Sequence, residues 1–155
     1  MSAETENEAT DLKKTPLHSL HQRLGAKMAG FAGYDMPIQY GLGIMKEHLH
    51  TRAAAGLFDV SHMGQAWLTG ADPAAAMEKM VPGDLQGLAP GQQRYTQFLN
   101  DKGGILDDLM VTRAGEPLGH DGLFIVVNAA CKDADFARME KVLAGEADLE
   151  RIEDR

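Results

Sequence analysis

The chain predicts an α+β fold, with ferredoxin-like split βαβ elements and antiparallel hairpins, and three stretches carry that prediction. Residues 94–99, RYTQFL, read as a strand, NDKGG supplies a turn with glycines free to take positive φ, and ILDDLMVTR returns as a second strand, so the whole is a β-hairpin. LFIVVN is a fully apolar strand, and residues 132–143 after it place Phe136, Met139 and Leu143 on one helical stripe. From Leu57 the order is β-α-β-β-β-α, with ADLERIEDR as an incipient strand at the end, and this mixture of helices with antiparallel hairpins marks the class.

Taken in order, residues 1–14, MSAETENEATDLKK, read as a disordered tail. They carry four acids, no arginine and no apolar segment, unlike a transit peptide or a secretory signal. The folded region is expected over 15–155. In TPLHSLHQRLG, Thr15 can cap, Pro16 fits the first helical position, Leu17, Leu20 and Leu24 share a face, and Gly25 can stop the helix. AKMAGFAGYDMPIQY is Gly-rich, aromatic, and extended or looped; GIMKEHLHTRAAAG has good helix formers and a glycine stop at Gly56. LFDVSHMGQAWLTG reads as a strand. Asp72 and Pro73 open a further helix through Met80, VPGDLQGLAPG is loop, and GEPLGHDG turns the chain before LFIVVN.

Bulk composition excludes several functions. At 155 residues the chain is long enough for a real core. Fifteen basic against 23 acidic residues give a net charge of −8, which argues against a nucleic-acid surface. No apolar run reaches membrane-spanning length. Cys131 is the single cysteine, so no internal disulfide forms, and a reducing, cytoplasmic setting is the expectation.

Candidate catalytic groups are few. His48 and His50 diverge on a helix, and His18 and His21 have no carboxylate or cysteine beside them in the sequence, so no metal is expected. Ser61 and His62, adjacent on a predicted strand, face opposite ways and make no hydrolase triad. GADPAAAMEK lacks the ending of a phosphate loop. Cys131 stands at a possible helix start but has no partner histidine, which favours a packed thiol. The aspartate pair Asp107 and Asp108 is more informative. Leu106, Asp108, Met110 and Thr112 share one face, Ile105, Asp107, Leu109, Val111 and Arg113 the other, so the two carboxylates cannot converge on one substrate as an acid/base pair, and at most one faces any given pocket. Each is open to two readings: a solvated or paired carboxylate, with Arg113 a partner on the Asp107 face, or one that awaits a bound group with N–H donors.

TPLHSLHQRLGAKMAGFAGYDMPIQYG, EHLHTRAAAGLFDVSHMG, RYTQFLNDKGGILDDLMV and LFIVVNAAC occur in this order and spacing in the aminomethyltransferase family, the T-protein of the glycine cleavage system, and the chain resembles that family over about residues 15–155. GLFDVSHMG followed by GGILDDL is highly specific, whereas either alone is also similar to related folate-dependent demethylases. Tyr34, where the family commonly has tryptophan, and Gly30, where larger residues are usual, are departures. Family members continue through the rest of the folate domain and a C-terminal β-barrel, forming a three-domain ring around a folate cavity. The resemblance therefore implies an incomplete, truncated N-terminal part of the folate-binding region, without the later pterin-binding glutamate and tail-binding arginine.

The resemblance implies a function as well. In the family, tetrahydrofolate, a substrate, takes the one-carbon unit of an aminomethyl group carried on the lipoyl arm of H-protein, which releases ammonia and yields methylenetetrahydrofolate. The family's essential aspartate is the second of its motif, which maps onto Asp108; the folate contacts map onto Met63, Tyr95, Val126 and Asn128. Asp107 would then be a structural or surface carboxylate. The implied partners are lipoylated H-protein and tetrahydrofolate, with no nucleic acid and no membrane, and with self-association through open apolar faces. The chain by itself is expected to be inactive. The alternatives are a non-catalytic folate-binding or assembly module and a related folate-dependent demethylase.

Overall fold

Residues 12–115 and 122–152 are described by the computed structural model, and they divide into two units, Met1–His62 and Met63–Arg155. Residues 1–11 of the tail read over 1–14 and most of the GEPLGHDG turn lie outside the described residues, whereas residues 12–14 are described.

The first unit holds α1 (His18–Arg23), β1 (Lys27–Phe31), β2 (Tyr34–Gln39) and α2 (Ile44–Ala53). The Gly-rich stretch forms a hairpin: β1 and β2 pair antiparallel, and Ala32 and Gly33 between them both have positive φ, 50° and 80°, the turn whose twist matches the flanking strands. Lys13 bridges to Tyr34 in parallel, beside that hairpin. Gly25, φ 72°, ends α1 as its position suggests.

Three expectations fail in this unit. The leucine stripe of α1 is not its buried face: Leu17 and Leu24 are exposed, while His18 and His21 are each 6% exposed. The imidazoles are buried because each meets a carboxylate from elsewhere in the unit, which a leucine cannot use. Thr15 does not cap α1, because its hydroxyl is committed to Asp59. The strand expected over LFDVSHMGQAWLTG begins only at Gly64; before it, Asp59 accepts from Ser61 N and Ser61 Oγ, an Asx-type turn that competes with strand pairing. Ser61 and His62 thus lie in a turn, not on a strand.

The second unit holds β3 (Gly64–Thr69), α3 (Pro73–Met77), β4 (Gln93–Leu99), β5 (Ile105–Arg113), β6 (Leu123–Val127), α4 (Lys132–Val142) and β7 (Asp148–Arg151). Asp72 caps α3 by accepting from Ala75 N at 3.0 Å, with Pro73 behind it at the first helical position. The helix is shorter than expected and stops at Met77, although Met80 is buried as well. The five strands order as β4-β5-β6-β3-β7, antiparallel at every junction. Because β6 and β7 both run against β3 between them, they are parallel to each other, with α4 as the crossover. That is a split βαβ unit, as expected, with β4 added at one edge.

Strand alternation sorts the sheet into two faces. Ala66, Leu68, Leu109, Val111, Leu123, Ile125 and Val127 point to one face and pack against Met77 of α3 and the Phe136, Met139 and Leu143 stripe of α4. Each of these side chains larger than alanine stabilises the fold by about 1.5–3 kcal/mol. Gly64 opens β3 where a side chain has no room: an added Cβ would lie 2.7 Å from Val127 Cγ2 and 2.9 Å from Phe136 Cζ. Gly64→Ala is therefore expected to lower the stability of this unit by about 1–3 kcal/mol through overpacking. A urea midpoint equal to that of the wild type would refute this account of the glycine.

Candidate functional site

The face of the sheet opposite the helices carries the residues singled out in the sequence. Tyr95 pairs with Met110, Met110 with Val126, and Val126 with Gln65, so these four form one row across β4, β5, β6 and β3. One step along the strands, Gln97 pairs with Asp108, and Asn128 and Met63 follow at the ends of β6 and β3. Tyr95 is 58% exposed, and Met63, Asp108, Met110, Val126 and Asn128 are half-buried. The structure thus brings together all five predicted site residues on one open surface within the second unit.

One amide reaches both carboxylates, a link that the strand pattern alone does not show. Asn128 Nδ2 lies 3.1 Å from Asp107 Oδ1, 3.2 Å from Asp108 Oδ1 and 3.1 Å from the Asp108 carbonyl. Alternation sends Asp107 toward the helices and Asp108 toward the open face, but Asn128 stands just past the end of β6, at the rim where a side chain reaches both. A register irregularity between Phe98 and Leu99, opposite Asp107, adds to the departure from ideal pairing. An amide nitrogen has two hydrogens for these three acceptors, so the bonds are shared. Arg113 does not serve Asp107 or Asp108; its guanidinium donates to the Leu85 carbonyl at 3.2 Å.

Behind Asn128 lies the start of α4. Cys131 is the residue before the helix, and burial, then the neighbouring Asp107, push its thiol pKa up, the opposite of an activated nucleophile. Asp135, one turn in, is 5% exposed, a buried acid that the sequence reading passed over. Its place in the first turn of an amphipathic helix beside a strand-end asparagine is the signal that could have pointed to it.

A second polar cluster lies in the first unit. A carboxylate only accepts, so His21 Nε2–H donates to Asp59 Oδ2 at 2.8 Å, and His21 Nδ1 shares a hydrogen bond with the Tyr40 hydroxyl at 2.6 Å. Thr15 Oγ1 also donates to Asp59 Oδ2 at 3.0 Å, and His18 Nε2 to Asp35 Oδ2 at 2.7 Å. Burial works to raise the Asp59 pKa, but the donors from Ser61, His21 and Thr15 outweigh it and hold the carboxyl well below its ordinary value. Burial and then the Asp59 and Glu47 charges raise the Tyr40 phenol. A cavity of about 540 Å³ beside this cluster is lined by β2, α2 and residues 55–59, and includes none of the five sheet residues. Among the described residues no His, Cys, Asp and Glu side chains are grouped to hold a metal.

The Asp59 carboxylate contributes stability above the ordinary carboxylate range, and that contribution is lost as pH falls toward its depressed pKa. Asp59→Asn is expected to cost about 1.5–3 kcal/mol at pH 7 in a urea titration, the worth of hydrogen bonds to a buried charge. The difference from wild type should shrink steadily below pH 4; a difference that is constant down to pH 2 would contradict the assignment.

Comparison with known proteins places this arrangement. The chain is 50% identical over 133 residues to an "Aminomethyltransferase, mitochondrial" of Dictyostelium discoideum, covering 86% of this chain and 32% of that protein. It is 41% identical over 148 residues to an "Aminomethyltransferase" of Synechococcus sp. (strain CC9311), covering 94% of this chain and 40% of that one. The crystal structure of the glycine cleavage system aminomethyltransferase T from Bartonella henselae superimposes with a TM-score of 0.83 at 44% identity, over 91% of this chain and 38% of that one. The chain thus spans about a third to two fifths of the length of the relatives it matches. A family described as the GCVT N-terminal domain matches residues 17–155, and on that match, with these identities, the chain belongs to the GCVT family of aminomethyltransferases.

Proposed function

We propose that the open sheet face is the pterin side of a tetrahydrofolate site, and that the protein takes part in transfer of a one-carbon unit from aminomethylated, lipoylated H-protein to tetrahydrofolate with release of ammonia. The observation that carries the reading is the conjunction of Asp108 with an apolar and aromatic row, Tyr95, Met110 and Val126, next to Asn128 and Met63. A flat heterocycle suits Met63, Val126 and the Tyr95 ring, and its amide-like edge suits Asn128.

Asp108 supplies the chemistry. Its carboxylate accepts a hydrogen bond from the folate amine N–H, which orients the nitrogen lone pair and raises its nucleophilicity. As ammonia leaves the aminomethyl group, cationic iminium character develops, and a fixed anion close by stabilises it. Asp107, turned toward the helices, is a structural carboxylate in this reading. The relatives' names favour this function over a demethylase or a non-catalytic module. A cytoplasmic location is part of the proposal and rests on the single cysteine; some relatives are named as mitochondrial.

The test is a chimera in which residues 15–155 replace the matching segment of the Bartonella henselae aminomethyltransferase, supplied with aminomethylated H-protein and tetrahydrofolate, with ammonia release as the readout. The chimera should turn over, and Asp108→Asn should lower the rate by about 100-fold or more with little change in thermal midpoint. Comparable rates for the two would remove Asp108 from the chemistry.

Self-association is also proposed. In the first unit Leu42, Ile44, Met45, Leu49, Phe58 and Val60 are more than half exposed, and exposed apolar side chains in such number favour association. Sedimentation equilibrium should show a mass that rises with concentration; an ideal 16.8 kDa monomer at 0.1 mM, a concentration of about the usual working range for weak association, would exclude it.

A further inference from the structure

Asp107 and Asp135 share an unusual condition. Asp107 Oδ2 and Asp135 Oδ2 are both buried, and neither accepts a hydrogen bond from an N–H or O–H donor. Burial leaves Asp135 with the Asp107 carboxyl as its hydrogen-bonding neighbour, two acceptors with no donor between them. Two carboxylates can bond in this way only if one of them carries a proton, and a doubly ionised pair in this place would combine desolvation with like-charge repulsion. A single shared proton relieves both orphaned oxygens at once. The other oxygen of Asp107 accepts from Asn128 Nδ2, which in turn reaches Asp108 Oδ1. A continuous line therefore runs from the first turn of α4 to the open face: Asp135, Asp107, Asn128, Asp108.

We propose that Asp135 is a positioning residue: its protonated carboxyl donates to Asp107, and Asp107, so fixed, holds the Asn128 amide beside Asp108. Its consequence for catalysis rests on the folate reading of Asp108, whereas the shared proton is a property of the folded chain alone. The charged and titratable groups around the pair come from two elements. Asp108 adds its charge from β5 beside Asp107, and Cys131, whose thiol is next to Asp107, stands just before α4. Lys132 and Asp133 follow Cys131 in the helix, and Arg138, almost a turn beyond Asp135, donates to the Leu99 carbonyl at 2.6 Å. Burial first, then the bond to Asp107 and the charges of Asp107 and Asp108, push the Asp135 pKa up to about 7. For a carboxyl raised in the folded state, stability declines as pH rises from the ordinary carboxylate range to about 7, then levels.

The experiment is a carboxyl-carbon NMR titration of the full chain labelled at aspartate, with the Asn128 side-chain amide followed in parallel. One aspartate should titrate with a midpoint near 7, and the Asn128 amide resonances should shift with that same midpoint. Asp107→Asn should move the Asp135 midpoint down toward the ordinary range by removing the like charge. Asp135→Asn, whose amide can donate as the protonated acid does, should keep the fold and make the Asn128 resonances independent of pH between 5 and 8, about the span over which the raised carboxyl titrates. Wild-type titration of every aspartate below about pH 5, or Asn128 resonances that do not move, would overturn the proposal. The wild-type measurement needs no variant, so a variant that fails to fold does not leave it open. A titration near 7 with an active Asp108→Asn chimera would sink the folate reading alone; the reverse pair of results would sink only the shared proton.

Discussion

One amide nitrogen, Nδ2 of Asn128, joins the start of β5 to the end of β6 and so fixes the geometry of the whole open face. It is bonded to both aspartate side chains and to a β5 carbonyl. A buried or half-buried carboxylate without donors is costly, and neighbouring carboxylates repel, so a donor placed among them sets where each can sit. If Asn128 were an apolar residue, Asp107 and Asp108 would have to turn outward or take up protons. Either outcome would disturb the row that Tyr95, Met110 and Val126 form one step away.

The site also depends on what lies behind the sheet. α3 and α4 cover one face with Met77, Phe136, Met139 and Leu143, and that packing lets the other face keep polar and aromatic groups half-exposed without loss of the strands. Gly64 is part of this arrangement because its bare backbone lets Phe136 and Val127 close over the start of β3. Fixed strands hold side chains more tightly than loops do, which suits the ligand-orienting role proposed for this face.

Local chemistry in the sequence made much of this legible. The hairpin of β4 and β5 follows from its turn residues, the α3 start from Asp72 and Pro73, and the α4 stripe from spacing alone, because each signal lies within a dozen residues of its effect. The family motif brought Asp108, Met63, Tyr95, Val126 and Asn128 forward together, and the register then explains why they are neighbours. What could not be read depended on distant partners. His18 is buried by a residue 17 positions away and His21 by residues 19 and 38 positions away, so a leucine-stripe reading of α1 had no means to see them. The Asn128 link between Asp107 and Asp108 escaped for the same reason: the amide comes from just past the end of the neighbouring strand, 21 and 20 positions away.

Each unit buries acids, and each resolves the cost in a different way. Asp59 is surrounded by donors, two hydroxyls, a ring N–H and a backbone N–H, so its charge is stabilised and its carboxyl is held low. Asp135 has another acid as its neighbour, so the charge is resisted and the carboxyl is held high. The first arrangement suits a fixed anchor, because the protonation state of Asp59 does not change near neutral pH. The second suits adjustment, because a carboxyl with a pKa near 7 responds to any nearby change of charge. Asp108 joins that second cluster through Asn128, so a ligand that brings N–H donors or developing positive charge to Asp108 would draw on the same network that fixes the strand ends.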